Sequence, residues 1–389
     1  MIELKLQEKQ MKFKKIPKNR IRKLRTFFLG KKEYTLRDLN DGSSKELIDL
    51  CSNDYFGLSR DKDIINTAYN VTLKEGLGSG SSRFISGSRP IHDLLEKKLS
   101  IWLNQEKVLL FPSGFQANIA AMQALTDRNS IIIADKLIHN SLLVGAKTSG
   151  SKLVRFLHND LIDLEKKLSK FTKLEKPVLV VVESLYSMEG SIAPIKKIAK
   201  LCKIYNVQLF VDEAHSLGIL GHEGKGLCND IPKDITMISG TLGKSFGSGG
   251  AFLACNSKIA QQIIQTSGAF RYTTALAPSL AAGALKSLQK IETNKSWGQD
   301  LINISKIWKD EINKLDKFYI RGDCQILSII IGDEDKTILM QKYLEEQGFL
   351  AIGIRPPTVP SGESRIRITI RKTLTDKILK KFILALRNF

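Results

Sequence analysis

Short apolar runs alternate with amphipathic stretches through the middle of the chain. The apolar runs have the length of strands and stand at 107–111, 131–134, 153–156, 177–183, 207–215, 235–239 and 250–255. The stretches between them, such as 116–125 and 195–205, space their apolar residues as helices do. Because continuous apolar strands alternate with helices, the pattern predicts an α/β fold with a large, mostly parallel sheet covered on both faces.

The pattern changes after residue 285. Lysine-rich amphipathic helices follow, with a strand near 325–331, a helix near 337–346 and a strand at 364–370. We therefore predict three parts, which are a basic N-terminal arm at 1–44, a large domain at 45–285 and a smaller α+β domain at 286–389.

The predicted strand at 364–370 has two different faces. Its side chains alternate, so Ile366, Ile368 and Ile370 share one face, and Arg365, Arg367 and Thr369 share the other. We expect the two arginines to face either an anion or water.

The composition is that of a globular protein. Of 389 residues, 42% are hydrophobic and 26% are charged, which excludes a disordered or fibrous chain. No apolar run approaches the roughly 20 residues of a membrane span, and the N-terminus lacks the apolar segment of a secretory signal. The five cysteines lie far apart without a C-x-x-C pair, so we predict no metal site, no disulfide framework and a cytoplasmic location.

The positive charge of the chain suggests an anionic partner. Sixty Lys and Arg residues against 40 Asp and Glu residues give a net charge of +20. A nucleic-acid-binding protein is one alternative, but only 7% of the residues are aromatic and the cations are not interleaved with them. We therefore expect a solvated, lysine-rich surface, with neither a membrane nor a specific nucleic acid as partner. The 12 Lys or Arg and three Glu of residues 1–34 predict an amphipathic helix rather than an organelle transit peptide.

The sharpest group of candidate residues is formed by VDEAHSLG and SGTLGKSFGSGG. Asp212 and His215 come just after a buried strand, where open α/β sheets place their ligands. Lys244 follows the next strand, in a run that contains five glycines and so allows a close backbone approach. A single residue of this kind more often caps a helix or lies in the core, but the three together indicate a single ligand site.

Other candidates also stand between a strand and a helix. In FPSGFQAN, the amides of Gly114 and Phe115 would be free at a helix N-terminus, which is a natural seat for a phosphate. His139 and Ser187 follow two further strands, and the shared placement assigns all of these residues to one edge of the sheet. The remaining histidines, to which we assign no role, are His92, His158 and His222.

Two nucleotide-binding motifs are excluded or weak. A phosphate-binding loop around GTLGKS needs glycine where the chain has Ile238. A dinucleotide fingerprint at GLGSGSSR has Arg83 in place of its third glycine, and no strong strand precedes it.

These motifs, in this order, resemble those of the α-oxoamine synthases, enzymes of fold type I that depend on pyridoxal 5′-phosphate (PLP). The resemblance runs from about residue 45 to residue 372 and is carried by SNDYFGLS, GSGSSRFISGSRPIHDLLE, SGFQAN, VDEAHSLGILG, SGTLGKSFGSGG and YTTALAP. It implies a PLP-dependent transferase fold and a homodimer with its sites at the interface.

The resemblance also assigns the cofactor to particular residues. Lys244 would hold PLP as a Schiff base, Asp212 would pair with the ring nitrogen, and His139 would stack on the ring. His215 and Ser187 would hydrogen-bond to the ring oxygen. The phosphate would be bound by Thr241, Gly114, Phe115 and, from a partner subunit, Thr273 or Thr274.

Within the family, the segment GIRPPTVPSGESRIRIT is most similar to enzymes that condense L-alanine with a pimeloyl thioester of CoA or of a carrier protein in biotin synthesis. The resemblance implies Lys244, His139, Asp212 and His215 as catalytic residues. Arg367 would bind the amino-acid carboxylate, Thr358 and His139 would contact substrate, and Arg25, or else Arg22, would meet the distal carboxylate of the acyl chain. RITIRKTLTDK lacks the His-Thr pair that often follows the last strand, so glycine- or serine-using sister enzymes such as glycine C-acetyltransferase stay open.

Overall fold

The computed structural model describes residues 16–31, 34–38 and 43–389. Its strands, in chain order, are β1 (Phe27–Leu29), β2 (Tyr34–Asp38), β3 (Ser44–Asp49), β4 (Lys107–Phe111), β5 (Ile131–Asp135), β6 (Lys152–Phe156), β7 (Val178–Glu183), β8 (Gln208–Asp212), β9 (Met237–Thr241), β10 (Ala251–Cys255), β11 (Tyr319–Arg321), β12 (Ile326–Gly332), β13 (Phe349–Leu350), β14 (Ile352–Ile354) and β15 (Ser364–Thr369).

The α-helices of the same residues are α1 (Lys62–Glu75), α2 (Pro90–Trp102), α3 (Gly114–Leu125), α4 (Asn140–Thr148), α5 (Leu161–Phe171), α6 (Ile195–Ile204), α7 (Ser257–Thr266), α8 (Gly268–Arg271), α9 (Pro278–Thr293), α10 (Trp297–Asn313), α11 (Glu334–Glu346) and α12 (Asp376–Asn388). Short 3₁₀ turns stand at Lys18–Arg20, Leu58–Arg60, Thr172–Leu174, His222–Gly224, Leu227–Asp230 and Pro232–Asp234. Among the described residues, we find no helix with both the length and the apolarity needed to cross a membrane.

The centre of the fold is a seven-stranded sheet with the strand order β4-β10-β9-β8-β7-β5-β6. The neighbours from β9 through β8, β7 and β5 to β6 pair in parallel, whereas β10 runs antiparallel to β4 and β9. The predicted α/β fold with a mostly parallel sheet is confirmed.

The apolar strands of this sheet are buried on both faces. Every residue of β5 and of β7 is buried. Because successive side chains of a strand point to opposite faces, helices must cover both sides of the sheet. These helices bury one apolar stripe each, as α5 does with Leu164 and Leu168 and α6 with Ile198 and Cys202.

The described part of the N-terminal arm is extended rather than helical. Residues 16–31 and 34–38 contain one 3₁₀ turn and strands β1 and β2, so the predicted amphipathic helix is wrong for this part. The rest of that prediction, at residues 1–15, lies outside the described residues. A short helix is marginal unless it packs, whereas β2 gains backbone hydrogen bonds from β3, and β3 pairs in parallel with β13.

The C-terminal part contributes a four-stranded sheet with the order β11-β12-β15-β14, all of whose pairs are antiparallel. A further four-stranded sheet, β1-β2-β3-β13, joins strands of the N-terminal arm through β3 to β13. An ion pair between Arg20 and Glu334, with 2.6 Å between nitrogen and oxygen, also attaches the arm to the C-terminal part. The domain boundary at residues 285 and 286 stays a prediction.

A buried carboxyl organises the loop that follows β8. Glu213 is fully buried, and its Oε1 accepts hydrogen bonds from the backbone amides of Leu227 at 2.6 Å and Cys228 at 3.3 Å. Burial raises the pKa of Glu213 to about 7, although the two amides favour the ionised form. The folded protein therefore binds this proton more tightly than the unfolded chain does.

This difference makes stability depend on pH. The contribution of Glu213 is fully present below its unfolded pKa and is lost as the pH rises through the folded value of about 7. We expect Glu213→Gln to remove that loss. Between about pH 5 and about pH 8, the free energy of unfolding of the variant should fall by roughly 2–3 kcal/mol less than that of the wild type. Urea unfolding of both proteins at the two pH values measures this, and equal pH dependence would contradict the prediction.

Candidate active site

Two carboxylates lie side by side where parallel strands end. Glu183 and Asp212 are the last residues of β7 and β8 and are direct register partners. Both are buried. The Asp212 carboxylate accepts from Asn118 Nδ2 at 2.8 Å and from the Ala214 amide at 2.9 Å. Burial, followed by the neighbouring Asp212 charge, raises the pKa of Glu183 well above its usual range, which favours its neutral form.

The amine of Lys244 lies in a short chain of hydrogen-bonding groups. Lys244 Nζ is 2.7 Å from His215 Nε2, and His215 Nδ1 is 2.6 Å from the hydroxyl of Tyr55. Removal from water lowers the pKa of Lys244 to about 8, although the charges of Asp212 and Glu183 act in the opposite direction. Burial, followed by the charges of Lys244 and Arg367, lowers the pKa of His215 well below its usual value. The group therefore holds an amine that gives up its proton easily beside a neutral imidazole.

His139 is placed at the start of α4, after β5. Its backbone amide donates to Glu183 Oε1 at 2.5 Å, and its Nδ1 lies 2.7 Å from Ser141 Oγ. The His139 ring is exposed to a cavity of about 620 Å³ that Ser187 and Thr358 also line. An aromatic ring bound in this cavity could stack on the imidazole.

The polar face of β15 is buried, not solvated. Arg367 donates from Nε to the Ser187 carbonyl at 2.7 Å, from NH1 to Thr369 Oγ1 at 2.9 Å and from NH2 to Asn53 Oδ1 at 3.1 Å. These partners are neutral, so Arg367 keeps its full positive charge for an anionic ligand.

Arg365, two residues earlier on the same face, meets an anion, which is one of the two alternatives that the sequence left open. Its guanidinium pairs with Glu189 Oε1 at 3.2 Å and Glu363 Oε2 at 3.1 Å, with 1% of the side chain exposed. Gly190 follows Glu189 with φ of +69°, and a Cβ there would collide with the Ile326 carbonyl of β12. The loop that carries Ser187 is thereby held tightly against the C-terminal sheet.

The predicted phosphate seat lies at the start of α3. Ser113 caps this helix by accepting from the Gln116 amide at 3.3 Å, which leaves the first-turn amides of Gly114 and Phe115 without a partner inside the helix. Thr241 ends β9, and its hydroxyl accepts from the Gly243 amide at 3.3 Å. Thr274 instead lies on the exposed surface, in an isolated bridge with Ser82.

The arginines of the N-terminal arm lie on the far side of Thr358. Arg22 donates to Thr358 Oγ1 at 2.9 Å, whereas Arg25 forms an ion pair with Glu345 at 2.8 Å. Glu345 also pairs with Arg37. Arg22, Arg25, Arg355 and Thr358 line a second cavity of about 670 Å³. Thr358 lines both cavities.

Sequence reasoning missed four residues of this site. Asn118 stands one helical turn after Gly114, within the motif SGFQAN, and the i to i+4 spacing could have placed it on the same face. Glu183 ends a predicted strand and could have been found in the same way as Asp212. Tyr55 and Asn53 belong to a turn about 160 residues from His215, and nothing local in the sequence indicates their contacts.

The lowered pKa of Lys244 has a measurable consequence. In protein stripped of bound small molecules, we expect the rate of Lys244 acylation to reach half its maximum near pH 8, because desolvation lowers its pKa to about 8. Asp212→Asn should move this midpoint lower still, since the Asp212 charge raises the pKa of Lys244. Trace labelling with an amine-reactive reagent and peptide mass spectrometry measures both. A midpoint near the value of about 10.4 for a free lysine would contradict the prediction.

Comparisons with known proteins identify the family of the chain. A family model described as aminotransferase class I and II matches residues 45–386. The 8-amino-7-oxononanoate synthase of Saccharophagus degradans is 35% identical over 350 residues, which are 89% of this chain and 87% of that protein.

Solved structures are similar as well. A serine palmitoyltransferase from S. paucimobilis, solved with bound PLP and myriocin, is 26% identical with a TM-score of 0.88, covering 93% of this chain and 92% of its own. The 8-amino-7-oxononanoate synthase of Francisella tularensis is 27% identical with a TM-score of 0.77, covering 88% of this chain and 97% of its own. The chain therefore belongs to the class I and II aminotransferase family, in the branch that contains the 8-amino-7-oxononanoate synthases.

Proposed function

We propose that this protein condenses L-alanine with a pimeloyl thioester, with loss of carbon dioxide and of the thiol carrier, to give 8-amino-7-oxononanoate for biotin synthesis. One observation carries the proposal, which is the desolvated Lys244 amine close to the buried Asp212 carboxylate and the Arg367 guanidinium. The 35% identity to the Saccharophagus degradans enzyme selects this reaction among those of the family.

The cofactor of this family is PLP, and the residues present fit it. The aldehyde of PLP needs an amine with an accessible unprotonated form, which Lys244 supplies with a pKa of about 8. The ring nitrogen needs a carboxylate, and Asp212 is held ready by Asn118 and the Ala214 amide. The phosphate needs N–H donors, which the first turn of α3 offers next to Thr241.

When bound, PLP supplies the electron sink for the negative charge that develops at the amino-acid α-carbon. Asp212 would keep the ring nitrogen protonated through its negative charge. Lys244 would take up and return the proton of that carbon, a role that suits an amine whose pKa lies near the working pH. His139 would stack on the ring, and His215 and Ser187 would hydrogen-bond to the ring oxygen.

Arg367 is the proposed partner of the amino-acid carboxylate. It is buried with 7% exposure, and its nitrogens meet uncharged oxygens of Ser187, Thr369 and Asn53. A guanidinium in such surroundings binds a carboxylate through two parallel hydrogen bonds. The small side chain of alanine needs no further polar partner.

The acyl donor is proposed to lie across Thr358, with its distal carboxylate in the cavity beside the N-terminal arm. The apolar residues that line that cavity include Ile338, Ile352 and Ile354, which suit a hydrocarbon chain. Two arginines of the arm could meet the carboxylate. Arg25 is already paired with Glu345, which it shares with Arg37, whereas Arg22 donates to the uncharged Thr358, and we therefore favour Arg22 over Arg25.

A second candidate function is the condensation of serine with a long acyl thioester. The observation that favours it is the TM-score of 0.88 to a serine palmitoyltransferase. The sequence identity to that enzyme is only 26%, against 35% to an 8-amino-7-oxononanoate synthase, so we rank it second.

Thiol release from a panel of substrates tests the proposed function. We expect kcat/KM to be highest for alanine with pimeloyl-CoA or pimeloyl carrier protein, because a donor with a terminal carboxylate can use an arginine that acetyl and palmitoyl donors cannot. Glycine with acetyl-CoA and serine with palmitoyl-CoA are the comparison pairs. A higher kcat/KM for either pair would assign the protein to a sister reaction.

The choice between the two arm arginines is tested separately. We expect Arg22→Ala to raise KM for the pimeloyl donor about tenfold, the effect of losing one charge-assisted hydrogen bond, and to leave KM for alanine nearly unchanged. Arg25→Ala is the matched control and should change the donor KM much less. If Arg25→Ala has the larger effect, the carboxylate belongs at Arg25 instead.

We further propose a homodimer in which Thr273 or Thr274 serves the partner's phosphate site. Support comes from an apolar surface next to Thr274, where Phe84 packs against Phe270 and Arg271, and Ile85 and Tyr272 are each 81% exposed.

A cytoplasmic location is supported by the five cysteines, which are all free thiols.

A further inference from the structure

A buried tyrosine lies behind the proposed active-site histidine. Tyr55 is fully buried, and its hydroxyl lies 2.6 Å from His215 Nδ1, on the side of the ring away from Lys244. Its backbone is held at both ends, since its amide donates to the Asn53 carbonyl and its carbonyl accepts from Lys372, each at 2.9 Å. Tyr55 is thus fixed between the large sheet and the C-terminal part.

We propose that Tyr55 is a positioning residue. Its hydroxyl donates a hydrogen bond to His215 Nδ1 and so fixes the tautomer in which Nε2 carries the hydrogen. This inference rests on the proposed function only where it assigns the tautomer a role in catalysis. The hydrogen-bond geometry from which it is argued belongs to the chain itself.

The first step of the argument concerns the phenol. Burial raises the pKa of Tyr55, so the phenol keeps its one proton and must place it on an acceptor. Its hydrogen-bond contacts are to His215 Nδ1 at 2.6 Å and Asn53 Oδ1 at 3.5 Å, and the Gln325 side chain also lies close to it. The second distance is too long for a good hydrogen bond, and Arg367 already donates to Asn53 Oδ1 at 3.1 Å.

The second step concerns the imidazole. The charged or titratable groups that face His215 besides Tyr55 are Lys244, Arg367 and His139, and together with burial they lower the pKa of His215. A neutral imidazole has one donor and one acceptor nitrogen. If Nδ1 accepts from Tyr55, Nε2 must donate toward the position of Lys244 Nζ, 2.7 Å away.

The opposite arrangement is less favourable. An ammonium on Lys244 could donate to Nε2 and force Nδ1 to donate to Tyr55. The phenol proton would then exchange its 2.6 Å contact for the 3.5 Å contact to Asn53 Oδ1, or for the Gln325 side chain, whose amide already donates to the His215 carbonyl. In the holoenzyme, where PLP would occupy the Lys244 amine, that ammonium would no longer compete for Nε2.

The tautomer matters because it gives the site a hydrogen-bond donor of fixed direction. An Nε2–H group aimed into the site stabilises an anionic oxygen there without having to reorganise. Gln325 Nε2 donates to the His215 carbonyl at 2.8 Å and fixes the backbone, so Tyr55 is left to fix the ring. Without the phenol, either nitrogen could carry the proton.

Nitrogen NMR of the holoenzyme, labelled with ¹⁵N-histidine, tests the assignment. The chain has five histidines, and the spectrum of His215→Gln identifies the His215 signals. We expect wild-type Nδ1 to resonate as an unprotonated nitrogen and Nε2 as a protonated one. Tyr55→Phe should shift both signals toward intermediate positions and weaken PLP retention about fivefold.

Tyr343→Phe is the matched control, because it removes a hydroxyl that donates to the Ala385 carbonyl at 3.0 Å, outside the proposed site. It should leave the His215 signals and PLP retention unchanged. A protonated Nδ1 in the wild type would overturn the proposal even if Tyr55→Phe did not fold, and so would a folded Tyr55→Phe with wild-type signals. Failure of the alanine and pimeloyl assay would remove the proposed reaction but would not alter the NMR result.

Discussion

The electrostatics of this protein depend on the register of its parallel sheet. Because β7 and β8 pair so that Glu183 lies opposite Asp212, two carboxyl groups end at the same edge in a place closed to water. Burial, and after it the neighbouring Asp212 charge, raises the pKa of Glu183 well above its usual range. Asp212, with Asn118 and the Ala214 amide as donors, remains the acceptor for a cationic ligand.

The same desolvation that raises the pKa of Glu183 also acts on the cations. It lowers the pKa of Lys244 to about 8 and lowers the pKa of His215 well below its usual value. Near neutral pH the site therefore contains an amine that loses its proton readily and a neutral imidazole, which suits proton transfer at a carbon atom. The net charge of +20 plays no part in this, because surface charges are screened by solvent whereas these groups are not.

Two arginines of one strand connect the C-terminal part to this edge of the sheet. Arg365 pairs with Glu189, and Arg367 donates to the Ser187 carbonyl, so both hold the loop after β7. Removing one partner of the Arg365–Glu189 pair would leave a buried charge uncompensated, which makes the pair a strong constraint on the loop position even if it adds little net stability. Arg367, the proposed substrate-binding residue, and Ser187, the proposed cofactor residue, thus keep a fixed separation.

The alternation of apolar strands with helices was enough to predict the α/β class and the parallel sheet. It also predicted the edge at which Asp212, His215 and Lys244 meet, because the carboxyl ends of parallel strands lie on the same side of a sheet. It was not enough to predict that the described part of the arm is extended, since that depends on hydrogen bonds between β2, β3 and a strand about 300 residues away. Tertiary packing alone brought Tyr55 to His215 and paired Arg25, rather than Arg22, with Glu345. Such contacts join side chains distant in sequence, and their partners are selected by burial and charge in the folded state, which no local periodicity encodes.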